Sequence, residues 1–262
     1  MTSGGEAGVF ELLKVATDAG SGVHRVVLDR PERRNALDGA LVGELREALT
    51  RAGADERVRV VALSGAGPDF CAGADLREVL AAVEEGVLSS LADAEALGAL
   101  FVLIRRLEKP VVAVVHGRAL AGGCGLATAC DLVLAAESAR FGYPEVKLGF
   151  VPAMAMAILR RSLGEKRAFE LIATGDLIEA AEASRLGLVN RVLADDVFET
   201  EADAFLEALA SRSASALALS KRLLYQTENA SFEAAIAAGA QVNALARLTD
   251  DCREGIRRFL DR

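Results

Sequence analysis

Runs of consecutive apolar residues mark the predicted strands in the first half of the chain. Three of these runs, at residues 58–64, 111–115 and 132–135, are continuous rather than alternating. Continuous apolarity is typical of strands that are buried on both faces, as in a parallel sheet covered by helices. Earlier segments, at residues 10–17 and 23–29, flank a turn rich in Asp and Gly and predict a β-hairpin. The pattern therefore predicts an α/β protein with mostly parallel strands.

Helical periodicity appears between these strands and dominates the second half. Asp38 is the predicted N-cap of a helix whose Leu41, Leu45, Ala48, Leu49 and Ala52 share one face. After residue 164 the chain is predicted to be helical, with no second strand-rich core. The predicted helices cover residues 165–173, 179–186, 195–212, 216–227, 231–247 and 250–260. We expect a core over residues 1–194, followed by a helical region over residues 195–262.

Charge and composition restrict the partners of this chain. Its 30 Lys and Arg residues against 38 Asp and Glu residues give a net charge of −8, which provides no general attraction for nucleic acid. Apolar residues make up 52% of the chain, yet charged residues, Gly or Pro interrupt each stretch before the roughly 20 residues of a membrane span. We therefore expect neither nucleic acid nor a membrane as a partner.

The termini and the cysteines give further expectations. Residues 1–8 have neither the basic nor the apolar part of a secretory leader. The four cysteines show no Cys-x-x-Cys spacing, and with only two histidines the chain offers no cluster of metal ligands. A cytoplasmic protein without a bound metal is the expectation.

Two loops rich in Gly and Ala follow predicted strands and precede predicted helices. The first covers residues 70–76 and the second covers residues 116–127. Small side chains let a ligand approach the backbone, and the N–H groups that enter a helix are free to donate. A dinucleotide-binding fingerprint ends in Gly or Ala, whereas the corresponding position after the second loop is Thr128. Either loop alone is also compatible with a tight connection, but together they can supply two donors to one oxygen.

Glu145 is the candidate acid or base. It lies among apolar residues, and the following segment contains Met154 and Met156, which indicate either a pliable pocket wall or ordinary helix packing. The carboxylate is either paired with Lys147 or Arg160, or desolvated with a raised pKa. Asp75 and Asp131 are weaker candidates, because each stands where an Asp caps the end of an element.

Taken in order, five segments resemble the enoyl-CoA hydratase/isomerase (crotonase) family over roughly residues 25–260. These segments are residues 28–37, 70–76, 117–131, 144–145 and 174–189. The resemblance implies an α/β spiral of ββα units with a C-terminal helical region that forms trimers, often paired into hexamers. It also implies a substrate carried as a coenzyme A thioester, with no separate cofactor.

The resemblance also implies roles for individual residues. The two family donors for the thioester oxygen match the N–H groups of Ala74 and Gly122. The family's coenzyme A contacts match a set of residues around the first loop, namely Arg33, Arg34, Ala36, Ala72, Asp75 and Leu76. Glu145 matches the second of two glutamates that hold a water in the hydratases of the family.

The first of those two glutamates falls on Gly125, which also belongs to the expected substrate-binding set. Hydration needs a water to be activated and a proton to be delivered, whereas moving a double bond from the 3 to the 2 position needs one shuttling base. The sequence therefore favours an isomerase with Glu145 as its base. A 2-enoyl-CoA hydratase, a non-catalytic acyl-CoA binding protein and the dehalogenase, decarboxylase or thioesterase chemistry of this fold stay open as alternatives.

Overall fold

A computed structural model describes residues 10–261 of the chain. The strands are β1 (Leu13–Thr17), β2 (Val23–Leu28), β3 (Val60–Gly65), β4 (Val111–Val115), β5 (Arg118–Leu120), β6 (Leu132–Ala136), β7 (Arg140–Gly142), β8 (Ile178–Glu179) and β9 (Arg191–Leu193). The helices are α1 (Gly39–Ala54), α2 (Leu76–Glu85), α3 (Val87–Arg106), α4 (Gly122–Ala129), α5 (Ala153–Ser162), α6 (Glu165–Thr174), α7 (Ala180–Leu186), α8 (Phe198–Ala210), α9 (Ala214–Gln226), α10 (Phe232–Ala246) and α11 (Asp250–Leu260).

The main sheet has six strands in the order β1-β2-β3-β4-β6-β9. The predicted hairpin is present, since β1 and β2 pair antiparallel, and every other neighbouring pair in this sheet is parallel. In β4 four of the five residues are buried, as the continuous apolar run predicted. The three predicted parallel strands thus form the centre of the sheet.

A second, smaller sheet has the order β5-β7-β8. Its strands have only two or three residues each, and none was predicted. Strands β5 and β7 pair in parallel, and the first residue of β5 follows the end of β4 by three positions. This sheet positions the second Gly-rich segment, because β5 lies within that segment and is followed by the turn at Ala121 that begins α4.

Helix α1 forms as the sequence predicted. The Asp38 carboxylate accepts a hydrogen bond from the Leu41 N–H at 2.8 Å, which satisfies one of the free donors at the start of the helix. The predicted apolar face is buried, with Val42 in addition. The same carboxylate lies 2.6 Å from Arg30, whose guanidinium also approaches Asp75 at 3.4 Å. Arg30 therefore connects the beginnings of α1 and α2.

The helix α3 has the length and apolar composition of a membrane span. This qualifies the expectation that each apolar stretch is interrupted early, since only Asp93 and Glu95 interrupt most of its length. Its second half packs into the protein core through Leu100, Phe101 and Ile104. Part of this helix thus belongs to the core of the fold.

The C-terminal helices differ in how they meet the core. Helix α8 buries Phe198, Ala202, Leu206 and Ala210, whereas within α9, α10 and α11 only Lys221 is buried. The division of the chain at residues 194 and 195 stays a prediction.

A buried polar cluster joins α9 to the beginnings of the inner strands β4 and β6. Asp131 accepts hydrogen bonds from Lys221 Nζ at 2.6 Å, from the Tyr225 hydroxyl at 2.8 Å and from the Val111 N–H at 2.7 Å. Lys221 also donates to the Ile104 carbonyl oxygen at 2.9 Å. These bonds account for the oxygens of Asp131, so its role in this fold is structural.

Candidate active site

The loop after β3 presents the first free backbone donor. The Leu37 N–H donates to the Gly73 carbonyl at 2.7 Å, and the Asp75 N–H donates to the Leu37 carbonyl at 2.8 Å. This parallel bridge leaves out the N–H of Ala74, which donates no hydrogen bond within the described part of the chain. Gly73 adopts a φ of +101°, a conformation that L-residues rarely adopt. The loop geometry thus depends on Gly73.

Asn35 holds this loop in place, although the sequence analysis did not single it out as a site residue. It is fully buried, and its side-chain amide donates to the carbonyl oxygens of Ala66 and Asp69, both at 2.8 Å. The Asp69 carboxylate in turn accepts two hydrogen bonds from the Arg118 guanidinium, at 2.8 and 2.9 Å. The signal that could have identified Asn35 is the Asn-Ala-Leu segment at residues 35–37, which contributed to the family resemblance.

The second free donor stands at the beginning of α4. Ala121 has a φ of +52° and a ψ of −128°, which is an uncommon conformation for a residue other than Gly. Its N–H donates to the Gly142 carbonyl at 2.8 Å and so fixes the turn that leads into the helix. The next residue, Gly122, has an N–H that donates no hydrogen bond among the described residues.

The two loops lie against each other. A Cβ atom placed on Gly73 would lie 3.4 Å from the Gly122 nitrogen and 2.7 Å from the Ala121 Cβ. A Cβ atom placed on Gly122 would lie 3.8 Å from the Ala74 nitrogen. The structure therefore brings together Ala74 and Gly122, as the sequence predicted for two donors that serve one oxygen.

Glu145 is a buried carboxylate without an ionic partner in the described residues. It lies in a short 3-10 turn, Pro144–Leu148, directly after β7. Its Oε2 atom is buried and accepts no hydrogen bond, and burial raises the pKa of the carboxyl above the ordinary value of 4.5. Of the two partners considered from the sequence, Lys147 pairs with Asp176 at 3.1 Å and Arg160 pairs with Glu165 at 3.2 Å. The desolvated alternative is the one that the structure shows.

The residues that surround Glu145 include Cys124 of α4 and Tyr143, which precedes the 3-10 turn. Tyr143 is fully buried, and its hydroxyl lies 3.3 Å from Thr128 Oγ1. Burial raises the pKa of the Cys124 thiol to about 12, and the negative charge of Glu145 adds to this shift. Neutral, weakly polar groups therefore face Glu145 from this side, and they offer no cation that would lower its pKa.

Gly125 lies on α4 one turn after the free donor of Gly122. A Cβ atom placed there would lie 2.9 Å from the Ala155 Cβ and 3.1 Å from Phe101 Cζ. Both neighbours are buried. The position that matches the first glutamate of the hydratases is thus enclosed by apolar groups.

The predicted coenzyme A contacts surround the first loop. The Arg34 carbonyl accepts a hydrogen bond from the Ala72 N–H at 3.0 Å, and the Ala36 carbonyl accepts one from Arg30 at 2.6 Å. Asp75 caps α2, because its carboxylate accepts from the Arg77 N–H at 3.1 Å. Arg33 and Arg34 are exposed and free for a ligand, as is Leu76 on the first turn of α2.

A cavity of about 650 Å³ lies between α3 and α5, and Phe101 contributes to its lining. The lining includes the charged residues Glu95, Arg105, Arg161 and Glu228, whereas Ala74, Gly122, Gly125 and Glu145 are not part of it. Met154 lines this cavity and Met156 does not, so both interpretations of these residues stay open. Leu91, Gly98 and Ile158 also line it. The contact of Phe101, on α3, with the surroundings of Gly125 was not predicted from the sequence.

The neighbouring free N–H groups of Ala74 and Gly122 and the desolvated carboxylate of Glu145 are the kinds of groups with which an α/β enzyme stabilises a negatively charged oxygen and moves a proton. The family model for enoyl-CoA hydratase/isomerase matches residues 18–262, and the chain belongs to this family. A Thermus thermophilus protein named as an enoyl-CoA hydratase is 44% identical over 237 residues, which cover 90% of this chain and 94% of that protein.

Two further comparisons extend this result. The 2,3-dehydroadipyl-CoA hydratase of Escherichia coli is 36% identical over 238 residues, covering 90% of this chain and 91% of that protein. The crystal structure of an enoyl-CoA hydratase from Mycobacterium smegmatis superimposes with a TM-score of 0.92 at 35% identity, and the match covers 95% of this chain and 96% of that one. The crotonase-like α/β fold and the family that the sequence predicted are confirmed.

Proposed function

We propose that the chain is an enoyl-CoA isomerase that moves a double bond from the 3 to the 2 position of an acyl-CoA thioester. The observation that carries this proposal is the buried carboxylate of Glu145, whose Oε2 accepts no hydrogen bond from the described residues and whose charge acts on Cys124 of α4. The neighbouring free N–H groups of Ala74 and Gly122 complete the set. Position 125, where a second acid would be needed for hydration, holds Gly. One base and one oxyanion site are sufficient for an allylic proton shift.

In the proposed reaction, Glu145 takes a proton from C2 of a 3-enoyl thioester. The electron pair moves onto the thioester oxygen, which becomes an enolate held by the N–H groups of Ala74 and Gly122. A well-placed donor of this kind contributes on the order of 3 kcal/mol. The protonated Glu145 then delivers the same proton to C4, so atoms and charge balance and no cofactor is required beyond the coenzyme A of the substrate.

The net charge of −8 does not exclude this anionic substrate, because local cationic groups and backbone donors can bind it. Arg33 and Arg34 are exposed at the edge of the first loop, and both are free of ion pairs in the described part of the chain. Guanidinium groups bind phosphate well, so we propose that these residues contact the phosphates of coenzyme A. Ala36, Ala72 and Leu76 would contact the rest of that moiety.

Replacement of the proposed base tests the function. Glu145→Gln keeps the shape of the side chain and removes the base, so we expect turnover of a 3-enoyl-CoA to fall by about 10²-fold or more while acyl-CoA affinity is retained. The absorbance of the conjugated thioester follows turnover, and titration calorimetry measures affinity. Glu170→Gln, an exposed position on α6, is the matched control and should keep full activity. Full activity of Glu145→Gln would refute the proposed role.

The hydratase alternative is favoured by the names of the relatives, including the E. coli and Mycobacterium smegmatis proteins. The same assay separates the two functions, because hydration of a 2-enoyl-CoA consumes the conjugated chromophore and isomerisation of a 3-enoyl-CoA creates it. Hydration without isomerisation would establish the alternative. Binding of both compounds without conversion would identify a non-catalytic acyl-CoA binding protein.

We also propose that the chain forms homotrimers, which can pair into hexamers. The support is the exposed apolar surface of the last two helices. Phe232, Ile236 and Phe259 are 77%, 60% and 76% exposed, and neither α10 nor α11 has a buried residue within the described part. Large exposed apolar patches mark contact surfaces between proteins.

A further inference from the structure

We propose that Phe101 determines the reaction specificity of this site, by occupying the space in which a second carboxylate and its bound water would stand. This inference rests on the proposed function and concerns a residue of α3, far in sequence from the two loops and from Glu145. The proposal gives a reason why the chain would isomerise rather than hydrate: position 125 lacks a carboxylate, and the ring of Phe101 fills the space beside it.

Helix α3 packs along the first turn of α4. A Cβ atom placed on Gly122 would lie 3.6 Å from Leu97 Cδ2, and one placed on Gly125 would lie 3.1 and 3.3 Å from Phe101 Cζ and Cε2. Leu97 and Phe101 are four residues apart and lie on the same face of α3. The helix therefore presents one apolar side chain beside the oxyanion donor and the other beside Gly125.

Ala155 of α5 closes this space from the other side. Its Cβ lies 2.9 Å from the same Cβ position, and the residue is buried. A side chain at position 125 can therefore be placed only if Ala155 shifts and the Phe101 ring, at 3.1 Å, gives way. Phe101 itself is only 4% exposed, so its ring is held in this place by the core.

The surroundings of position 125 are also unsuited to a bound water. The atoms nearest to the Cβ position of residue 125 are carbons of Ala155 and Phe101, which offer a water no hydrogen-bond partner. In the proposed reaction, Glu145 therefore exchanges its proton with substrate carbon rather than with a water held at this position.

The first experiment follows solvent exchange during isomerisation in deuterium oxide. In the unmodified protein, we expect most of the product to carry at C4 the hydrogen that left C2. Phe101→Ala opens the space to solvent, so the fraction of product with deuterium at C4 should rise several-fold. Phe169→Ala, a Phe that is 71% exposed on α6, is the matched control and should match the unmodified protein. Mass spectrometry of the product gives this fraction directly.

The second experiment restores the acid. Gly125→Glu alone should yield no hydration of a 2-enoyl-CoA, because the new side chain collides with Ala155 and Phe101. The double variant Phe101→Ala with Gly125→Glu should raise the ratio of hydration to isomerisation on the order of 10²-fold, the usual scale for one positioned acid–base group. In hydration the water oxygen adds to C3 and a proton adds to C2.

The outcomes separate this inference from the proposed function. If the unmodified protein isomerises and Phe101→Ala shows unchanged deuterium incorporation, the role of Phe101 is refuted and the isomerase stands. Hydration by Gly125→Glu alone would also refute it. If the unmodified protein hydrates and does not isomerise, the proposed function itself is refuted. Should Phe101→Ala fail to fold, Phe101→Leu decides by the same measurement, since the smaller side chain still predicts increased incorporation.

Discussion

Gly73→Ala is the substitution that most directly tests whether two backbone donors share one oxygen. Gly73 precedes the donor of Ala74 and has a φ of +101°. Its new methyl group would lie 2.7 Å from the Ala121 Cβ, 3.0 Å from the Leu120 carbonyl oxygen and 3.4 Å from the Gly122 nitrogen. The two loops must therefore move apart, although no side chain of the proposed chemistry is altered.

The size of the effect follows from these distances. A non-Gly residue in a sparsely populated conformation costs about 1 to 3 kcal/mol. Loss of alignment of one oxyanion donor costs roughly 3 kcal/mol of transition-state stabilisation, or about 10²-fold in turnover. Since 1 kcal/mol shifts the melting temperature of a chain of this size by roughly 2 to 4 °C, the protein should remain folded at 25 °C with a lowered melting temperature.

Steady-state isomerisation of a 3-enoyl-CoA, together with thermal unfolding, is the assay. We expect kcat to fall by about 10²-fold, with a smaller change in acyl-CoA affinity, because the donors act mainly on the developing enolate. Gly43→Ala is the matched control, since Gly43 is exposed on α1 and a Cβ atom there would have no neighbour within 4 Å. A folded Gly73→Ala protein with unchanged kcat would show that the two N–H groups do not act together.

Two further predictions concern the pH dependence and the assembly of the protein. Because burial raises the pKa of Glu145 above 4.5, the base becomes protonated and inactive as the pH falls through that raised value, so kcat should decline at a pH above 4.5. A profile of log kcat against pH measures this, and a decline only below 4.5 would contradict the desolvated base. Light scattering should give about three or six times the 27.4 kDa mass of one chain, and a monomer at micromolar concentration would refute the proposed trimer.

The elements that the sequence predicted well are those specified by local patterns. Helix α1 begins at the predicted cap of Asp38, and strand β4 matches its apolar run residue for residue. In both cases the signal lies within a few neighbouring residues: a side-chain acceptor before a helix, or a run of β-branched apolar residues. The hairpin of β1 and β2 was predictable for the same reason.

What the sequence left unpredicted depends on contacts between distant segments. Strands β5, β7 and β8 have two or three residues each, which is too short for a periodic pattern. Strands β5 and β7 pair because the fold brings residues 118–120 alongside residues 140–142. The alternatives for Glu145 were open for a similar reason. Spacing allowed an ion pair with Lys147, and only the position of Asp176, on a different segment, shows that Lys147 is paired elsewhere.

Gly125 lacks a side chain, but its neighbours fill the space that a side chain would occupy. This difference between an absent group and an absent space matters for how reaction types diverge within the family. If the missing carboxylate had left a gap, water could enter that gap. A single substitution at position 125 would then restore the acid. In this chain Phe101 and Ala155, from two other helices, close the gap to contact distance. The absence of the acid is therefore built into the packing of three helices, and overall identity of 36% or 44% to hydratases does not report on it. If Phe101→Ala increases deuterium incorporation as proposed, the residues that oppose position 125 across α3 and α5 determine the reaction of this chain, whatever its identity to hydratases over the whole length.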